Sequence, residues 1–142
     1  MDQAEIARCL AGPWQAVLSV SRQDRGPLAV PMSYLYRDGE FLMITSPDSQ
    51  HGRMMTTEGR ATITVHHDEV SPGSVEQWYV TAEGRIRFTD EHPGELLRSI
   101  LLKDRGPEFL EEWVRQSLPN ATSVAVLEPE RISGFYGVSR LE

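Results

Sequence analysis

Residues 45–65 read TSPDSQHGRMMTTEGRATITV, and this stretch decides the fold because it ends one strand, opens a helix and returns to another strand. The apolar run Phe41–Thr45 predicts the first strand. Residues 46–49 combine turn chemistry with a helix-capping serine, so a helix is predicted to begin near Gln50. Gly59 ends that helix, since glycine readily adopts the left-handed conformation of a helix C-terminus.

The predicted helix start carries three side chains that suit an anion: Ser49, His51 and Arg53. A helix N-terminus presents free backbone N–H groups and a partial positive charge. A hydroxyl and a guanidinium add hydrogen bonds, of which the charged ones are the stronger. The same residues also fit a capped surface helix whose polar side chains face water. The pattern therefore predicts a candidate phosphate site, with the plain surface helix as the alternative.

Before this unit, the sequence predicts a helix and two strands: Asp2–Leu10, Trp14–Arg22 and Pro27–Arg37. The Asp-Gly pair at 38–39, between two apolar runs, predicts a hairpin into the next strand. Pro31 has no N–H to donate to a neighbouring strand. It is therefore expected at a sheet edge, at a bulge or where a ligand meets the backbone, and we prefer the last two.

After the central unit, Arg60–His66 predicts a short strand and the polar segment 66–74, HHDEVSPGS, a loop. The alternation in Val75–Thr89 predicts a long strand with a bend or bulge at Gly84. Two helices, Glu95–Lys103 and Pro107–Leu118, form an insert. Two closing strands, Ser123–Leu127 and Ile132–Val138, are predicted around a turn at 128–130. Six or seven mostly antiparallel strands and a few short helices indicate a mainly β fold: one domain over residues 1–142, built as a small barrel.

The composition limits the function classes. The chain has 142 residues, 39% of them hydrophobic, and a formal charge of −7, which disfavours nucleic acid and anionic membranes as partners. A single cysteine, Cys9, excludes an internal disulfide and is typical of a reducing compartment. No apolar stretch approaches the roughly 18 residues of a membrane span, and the acidic N-terminus lacks a signal-peptide core. A cytoplasmic location is therefore expected.

Taken in order, these elements resemble the split-barrel flavin and deazaflavin oxidoreductases related to pyridoxamine 5′-phosphate oxidase. The order and spacing of the segments carry the resemblance more than any single one. The segments are VLSVSR (17–22), GPLAVPMSYLY (26–36), DGE (38–40), FLMITS (41–46), the SxHxR element (49–53), RATITV (60–65), WYVTAEGRIRFTD (78–90) and PERISGFYG (129–137).

The resemblance implies a cofactor, FMN or the deazaflavin F420, bound at the interface of a homodimer. It places the cofactor ring along the strand formed by Val30, Pro31, Met32 and Ser33. It places the ribityl and phosphate groups at the strand end Ile44 and Thr45 and at the turn residues Ser49, Gln50, His51 and Arg53.

Two positions depart from the family pattern. His51 stands where the family commonly has lysine, and Met54 stands where shorter members often have asparagine. Histidine is about half charged near pH 6.5, whereas lysine stays charged. In this interpretation Arg53 compensates for the missing lysine, since a guanidinium binds phosphate through two parallel hydrogen bonds. The chain also lacks the length and the C-terminal Arg and His pattern of the true vitamin oxidases, so their substrate is not transferred to it.

Other site chemistries are not supported. His66 and His67 suggest a metal, but adjacent strand residues point to opposite faces and no second pair has helical spacing. The GxSxG and GxGxxG patterns are absent, and Cys9 has no histidine placed in the sequence to activate it. No catalytic side chain and no metal site is therefore predicted. The aromatic residues are interpreted as core or dimer interface, with Tyr34 or Trp78 as alternative pocket residues; the set is Trp14, Tyr34, Tyr36, Trp78, Phe135 and Tyr136.

Three functions remain open. The first is an oxidoreductase that transfers a hydride to a small planar hydrophobic acceptor, with the cofactor supplying the chemistry. The second is a non-catalytic module that binds or sequesters a flavin, haem or another planar ligand. The third is an interaction protein that uses the helical insert around Trp113.

Overall fold

The computed structural model describes all residues, 1–142. Its strands are β1 (Ala16–Val20), β2 (Leu28–Met32), β3 (Leu35–Arg37), β4 (Glu40–Ile44), β5 (Arg60–Ser71), β6 (Ser74–Thr89) and β7 (Val124–Arg140). Its helices are α1 (Gln3–Leu10), α2 (Gln50–Glu58), α3 (Pro93–Arg105) and α4 (Leu110–Ser117), with a short 3-10 helix at Leu118–Asn120. None of the helices is both long enough and apolar enough to span a membrane.

All seven strands form one antiparallel sheet in the order β2-β1-β5-β6-β7-β4-β3. β2 and β3 occupy the two edges and do not pair with each other, so the sheet curls without closing. The predicted fold class, a mainly β split barrel with short helices, is confirmed.

The main core fills the inside of the curled sheet. Ile6 and Leu10 of α1 and Met55 of α2 are buried against it, so these two helices pack on the strands through their apolar sides. β4 is covered on both faces: Phe41 and Met43 join the main core, whereas Leu42 packs under α3. Because both faces of β4 are buried, its sequence is a continuous apolar run rather than an alternating one.

Segment 66–74 was predicted as a loop, and this prediction was wrong. β5 continues to Ser71, and β6 begins at Ser74 after a turn at Pro72 and Gly73, whose φ is 77°. Most residues of this extension are exposed because the hairpin continues beyond the core. Pairing between the two strands holds it, so its polar composition does not prevent strand formation.

The two closing strands predicted around a turn at 128–130 are one continuous strand, β7. The pairing of β6 with β7 shifts register between Glu83 and Gly84, which confirms the predicted irregularity at Gly84. Pro129 lies opposite Gly84 there, so its missing N–H falls where the ladder is already interrupted. A Cβ atom at position 84 would overlap the carbonyl oxygen of Glu128.

The predicted strand Pro27–Arg37 is also divided, into β2 and β3. Tyr34, between them, turns inward, is fully buried and donates a hydrogen bond from its hydroxyl to the carbonyl oxygen of Leu10, 2.9 Å away. This inward turn interrupts the strand.

Pro31 lies on the edge strand β2, one of the three positions expected for it, and no register shift occurs there. Elsewhere the element bounds move by a few residues; α4, for example, begins at Leu110 instead of 107.

Candidate functional site

The connection between β4 and α2 is a tight turn capped by Ser49. The Ser49 hydroxyl accepts a hydrogen bond from the Gly52 N–H (3.0 Å) and donates one to the Ser46 carbonyl oxygen (2.7 Å). Gly52 is buried, and a side chain there would overlap the Ser46 carbonyl oxygen. The hydroxyl hydrogen of Ser49 is thus already used. Ser49 shapes the turn and offers no free donor to an anion in this arrangement.

His51, on the first turn of α2, faces the end of β4. Its Nε2 atom lies 2.5 Å from Oγ1 of Thr45, and the side chain is half-buried. Burial lowers the pKa of His51 below its usual value, because removing water disfavours the charged imidazolium. The imidazole is therefore mostly neutral near pH 7. A phosphate beside it would act in the opposite direction and favour the charged form.

Arg53 and Gln50 are exposed on the same turn. Nη1 of Arg53 donates to the carbonyl oxygen of Asp48 at 2.5 Å, which draws the guanidinium towards the turn. A guanidinium has five N–H donors, so others remain for a ligand. The first backbone N–H groups of a helix have no acceptor within the helix. In α2 those of Gln50 and His51 remain free, because Gly52 and Arg53 donate theirs to the hydroxyl and carbonyl oxygens of Ser49. Together with His51, these donors fit a phosphate group.

The strand predicted to lie along the ring has two different faces. Val30 and Met32 pack against the main core, whereas Pro31 and Ser33 are exposed. One edge of β2 pairs with β1 and the other has no partner strand, so it carries free backbone groups. The backbone, Pro31 and Ser33 are therefore available to a ligand. The side chains of Val30 and Met32 lie on the core side of the strand.

A cleft of about 400 Å³ separates the end of β2 from α3 and α4. It is lined on its apolar part by Ile44, Leu97 and Leu101, and on its polar part by Gln15, Ser33 and Asp104. Ser33 and Ile44 come from the two segments in which the cofactor was predicted to bind. The cleft thus joins the ends of β2 and β4. Ser49, His51 and Arg53 do not line it.

A buried ion pair at this cleft was not predicted from the sequence. Nζ of Lys103 lies 2.5 Å from Oδ1 of Asp104, with the two side chains 6% and 12% exposed. The ammonium also donates to the carbonyl oxygens of Gly12 and Trp14 and lies 4.2 Å from the centre of the Tyr34 ring. In the sequence, these charges resemble an ordinary helix end. No local signal indicates partners about 90 residues away in the chain.

The aromatic residues divide between the core, a cluster near α1 and exposed positions on β7, where Phe135 and Tyr136 lie. Tyr34 is core, and burial raises the pKa of its phenol well above the usual range, so it stays protonated. Trp14 stacks on His67 at 3.9 Å between ring centres, with Trp78 at 6.1 Å from Trp14. His66 is exposed while His67 is half-buried, so the two adjacent histidines point to different surroundings.

Residues 2–135 match the family model described as pyridoxamine 5′-phosphate oxidase. The chain belongs to the pyridoxamine 5′-phosphate oxidase family. The matched range includes β2, the α2 turn, the β5–β6 hairpin and most of β7, which confirms the resemblance found from the sequence. No curated protein sequence matches the chain.

Several solved structures share this family fold with the chain. An FAD-binding protein from Mesorhizobium loti is 19% identical, with a TM-score of 0.68, over 96% of this chain and 96% of that chain. The flavocytochrome Anf3 from Azotobacter vinelandii is 14% identical, with a TM-score of 0.71, over 99% of this chain and 78% of that chain. An F420 reductase is 16% identical, with a TM-score of 0.65, over 94% of this chain and 98% of that chain. At these identities the similarity concerns the fold alone.

Proposed function

We propose that this member of the family is a flavin- or deazaflavin-dependent oxidoreductase that binds FMN or F420. In this proposal it transfers a hydride to a small planar hydrophobic acceptor. The observation that carries the proposal is the first turn of α2, which carries the donors of Arg53, the imidazole of His51 and the backbone N–H groups of Gln50 and His51. The cofactors in the names of the FAD-binding protein and the F420 reductase support this cofactor class.

In this proposal each segment has a separate task. Arg53, His51 and the helix N–H groups bind the phosphate, and Gln50 lies at its rim. Ile44 and Thr45 contact the ribityl chain, and Thr45 also orients the His51 ring through their hydrogen bond. The free edge of β2, with Pro31 and Ser33, contacts the ring.

The chemistry needs little from the side chains. A bound flavin or deazaflavin supplies the hydride in its reduced form. The protein binds and orients the two reactants and keeps water away from them, which is a large part of what such a transfer requires. The reduced acceptor would take up its proton from solvent after it leaves the site. This division of tasks agrees with the absence of a predicted catalytic acid or base.

We further propose a homodimer with the cofactor between the two copies. Tyr79 and Phe135 stack at 5.6 Å on the outer face of the sheet and are 45% and 46% exposed. Val17 is another exposed apolar residue of the sheet. Exposed apolar patches of this kind mark interaction surfaces. A second copy of the chain that covers this patch would remove it from water.

The second candidate is non-catalytic binding of a flavin, haem or another planar ligand. The lowered pKa of His51 favours it, because a neutral imidazole holds a phosphate less tightly than the charged lysine common in the family. The planar part of the ligand would then supply more of the affinity.

Two measurements test the proposal. Purified protein is titrated with FMN and with F420 while cofactor fluorescence is followed. Reduction of menadione by the reduced cofactor is then timed with and without protein. We expect saturable quenching by at least one cofactor and faster reduction with protein present. Binding without acceleration supports the sequestering module, and failure of both cofactors to bind overturns the proposal.

A further inference from the structure

We propose that the cleft lined by Asp104, Gln15 and Ile44 binds a second ligand: a small, uncharged, planar heterocycle that donates an N–H hydrogen bond to Asp104. The inference rests on the proposed function only in identifying this ligand as the hydride acceptor. Its binding needs no cofactor. Separate variants therefore test the two claims.

The size and apolar lining of the cleft suit one or two fused rings. Its volume of about 400 Å³ lies near the lower end of the range of roughly 300 to 1,000 Å³ found for small-molecule sites. Ile44, Leu97 and Leu101 give it an apolar part on which a flat ring can pack.

Asp104 determines which polar group the ligand needs at its edge. Its Oδ1 atom is held by Lys103 at 2.5 Å, whereas Oδ2 receives only a long hydrogen bond, 3.4 Å, from Nε2 of Gln15. A carboxylate oxygen accepts up to two hydrogen bonds. Oδ2 therefore has capacity for a further N–H donor at the wall of the cleft. A ligand that carries only acceptors, such as menadione, can pack on the apolar part of the cleft but gains no hydrogen bond from Oδ2.

Lys103 determines the charge preference. Its three N–H donors are directed to the carbonyl oxygens of Gly12 and Trp14 and to Asp104, so the carboxylate is already neutralised. A cationic ligand would gain little from a carboxylate whose charge is balanced. Arg105 also lines the cleft and adds positive charge. An uncharged donor avoids this unfavourable interaction and fits the cleft best.

The position of the cleft agrees with an acceptor site. Ser33 belongs both to the cleft and to the segment proposed to contact the ring, and its hydroxyl lies 3.2 Å from Nε2 of Gln15. A polar chain thus runs from Asp104 through Gln15 to Ser33. A heterocycle in the cleft would lie beside the ring site and away from the phosphate turn.

The test uses two probes of the same shape: quinazolin-4(3H)-one, which has a lactam N–H, and its N3-methyl derivative, which has none. Their affinities are measured by saturation-transfer NMR with the cofactor-free protein. Three variants are compared with it. Ala121→Phe places an aromatic ring in the cleft. Lys103→Met with Asp104→Leu removes both charges together, and Arg53→Ala alters only the phosphate turn.

We expect quinazolin-4(3H)-one to bind about tenfold more tightly than the methylated probe, the effect of one hydrogen bond. The ratio should fall to about one in the double variant. Ala121→Phe should weaken both probes by roughly tenfold or more, because it removes the space for the rings. Arg53→Ala should leave both probe affinities unchanged.

Several results would overturn the inference: no binding of quinazolin-4(3H)-one up to its solubility limit, equal affinity for both probes, or no effect of Ala121→Phe. If Ala121→Phe abolishes FMN binding and spares the probe, the cleft belongs to the cofactor site and the inference fails. If Arg53→Ala leaves FMN binding unchanged, the proposed phosphate turn fails, while the two probes still decide the role of the cleft.

Discussion

The Nε2 atom of His51 lies 2.5 Å from the Oγ1 atom of Thr45, so one hydrogen bond ties the start of α2 to the end of β4. The same contact places the imidazole between two segments that we propose to bind the cofactor. Because burial lowers the pKa of His51, this ring carries little charge near neutral pH in the free protein. Any phosphate affinity that depends on it must therefore vary with pH.

The first prediction concerns this pH dependence. A bound phosphate stabilises the imidazolium, so the pKa of His51 should be higher in the complex than in the free protein. The resulting gain in affinity is fully present below the free-protein pKa and is lost as pH rises through the bound-state pKa. Wild-type protein should thus gain more affinity for FMN between pH 8 and pH 6 than His51→Ala. His51→Lys should bind FMN more tightly than the wild type at pH 8, and its affinity should change less between pH 8 and pH 6.

Fluorescence titrations with FMN and F420 at both pH values measure these affinities. His51→Ala is the baseline, because with FMN it retains the titration of the phosphate monoester itself, whose second pKa is about 6. The same pH dependence in wild type and His51→Ala would show that the imidazole does not contact the phosphate.

The second prediction concerns Arg53. If its free N–H donors bind the phosphate, Arg53→Ala should lose about 1.5 to 3 kcal/mol of binding free energy, the size of a hydrogen bond to a charged group. This corresponds to a roughly tenfold to hundredfold weaker affinity. Arg115→Ala, which removes an exposed guanidinium from α4, is the matched control. Equal affinity of Arg53→Ala and wild type at pH 6 and 8 would favour the non-catalytic binding module.

The α2 turn was predictable from the sequence because its signals are local. Ser49 caps a helix three residues before Gly52, and Gly59 ends the helix with a φ of 67°, as the sequence indicates. Each of these residues acts within one helical turn of its own position. Helix start, helix end and the strand that follows can therefore be inferred without knowledge of the rest of the fold.

The errors fall where pairing with distant residues overrides local preference. Residues 66–71 are mostly polar and exposed, yet they form a strand because they pair with residues 74–79. Pro129 suggests a turn, but β7 continues without a break at this residue because the pairing with β6 shifts register at Gly84. The cleft could not be predicted because Asp104 and Gln15 are 89 residues apart in the chain.

The third prediction tests the tight contact at Gly84. Gly84→Ala should destabilise the fold by about 1 to 3 kcal/mol, as overpacking against a fixed backbone group commonly does. The added methyl would overlap the carbonyl oxygen of Glu128, which β7 cannot easily move. Gly26→Ala is the control, because no atom lies within 4 Å of a Cβ there. Urea unfolding gives both values, and an equal effect of the two substitutions would contradict the crowding argument.

The fourth prediction concerns the homodimer. Light scattering at micromolar concentration should give twice the mass of one chain, with an interface of about 2,000 Å² or more. Phe135→Glu should convert the dimer to monomer, because it places a charge in the apolar patch with Tyr79. Leu102→Glu, at an exposed apolar residue of α3, should leave the dimer intact. A monomeric wild-type protein would exclude the proposed shared cofactor site.

The fifth prediction concerns the ion pair of Lys103 and Asp104, which is almost completely buried. Lys103→Met leaves the Asp104 carboxylate buried without its cation, and removal of one partner of such a pair typically costs about 3 to 5 kcal/mol of stability. Lys103→Met with Asp104→Leu removes both charges and should recover most of that loss, since an apolar pair avoids the desolvation penalty. Urea unfolding of the wild type, the two single variants and the double variant gives the coupling energy. Exposed ion pairs typically contribute less than about 1 kcal/mol. A loss of that size in Lys103→Met would mean that solvent reaches the pair and that the cleft is open to water at this point.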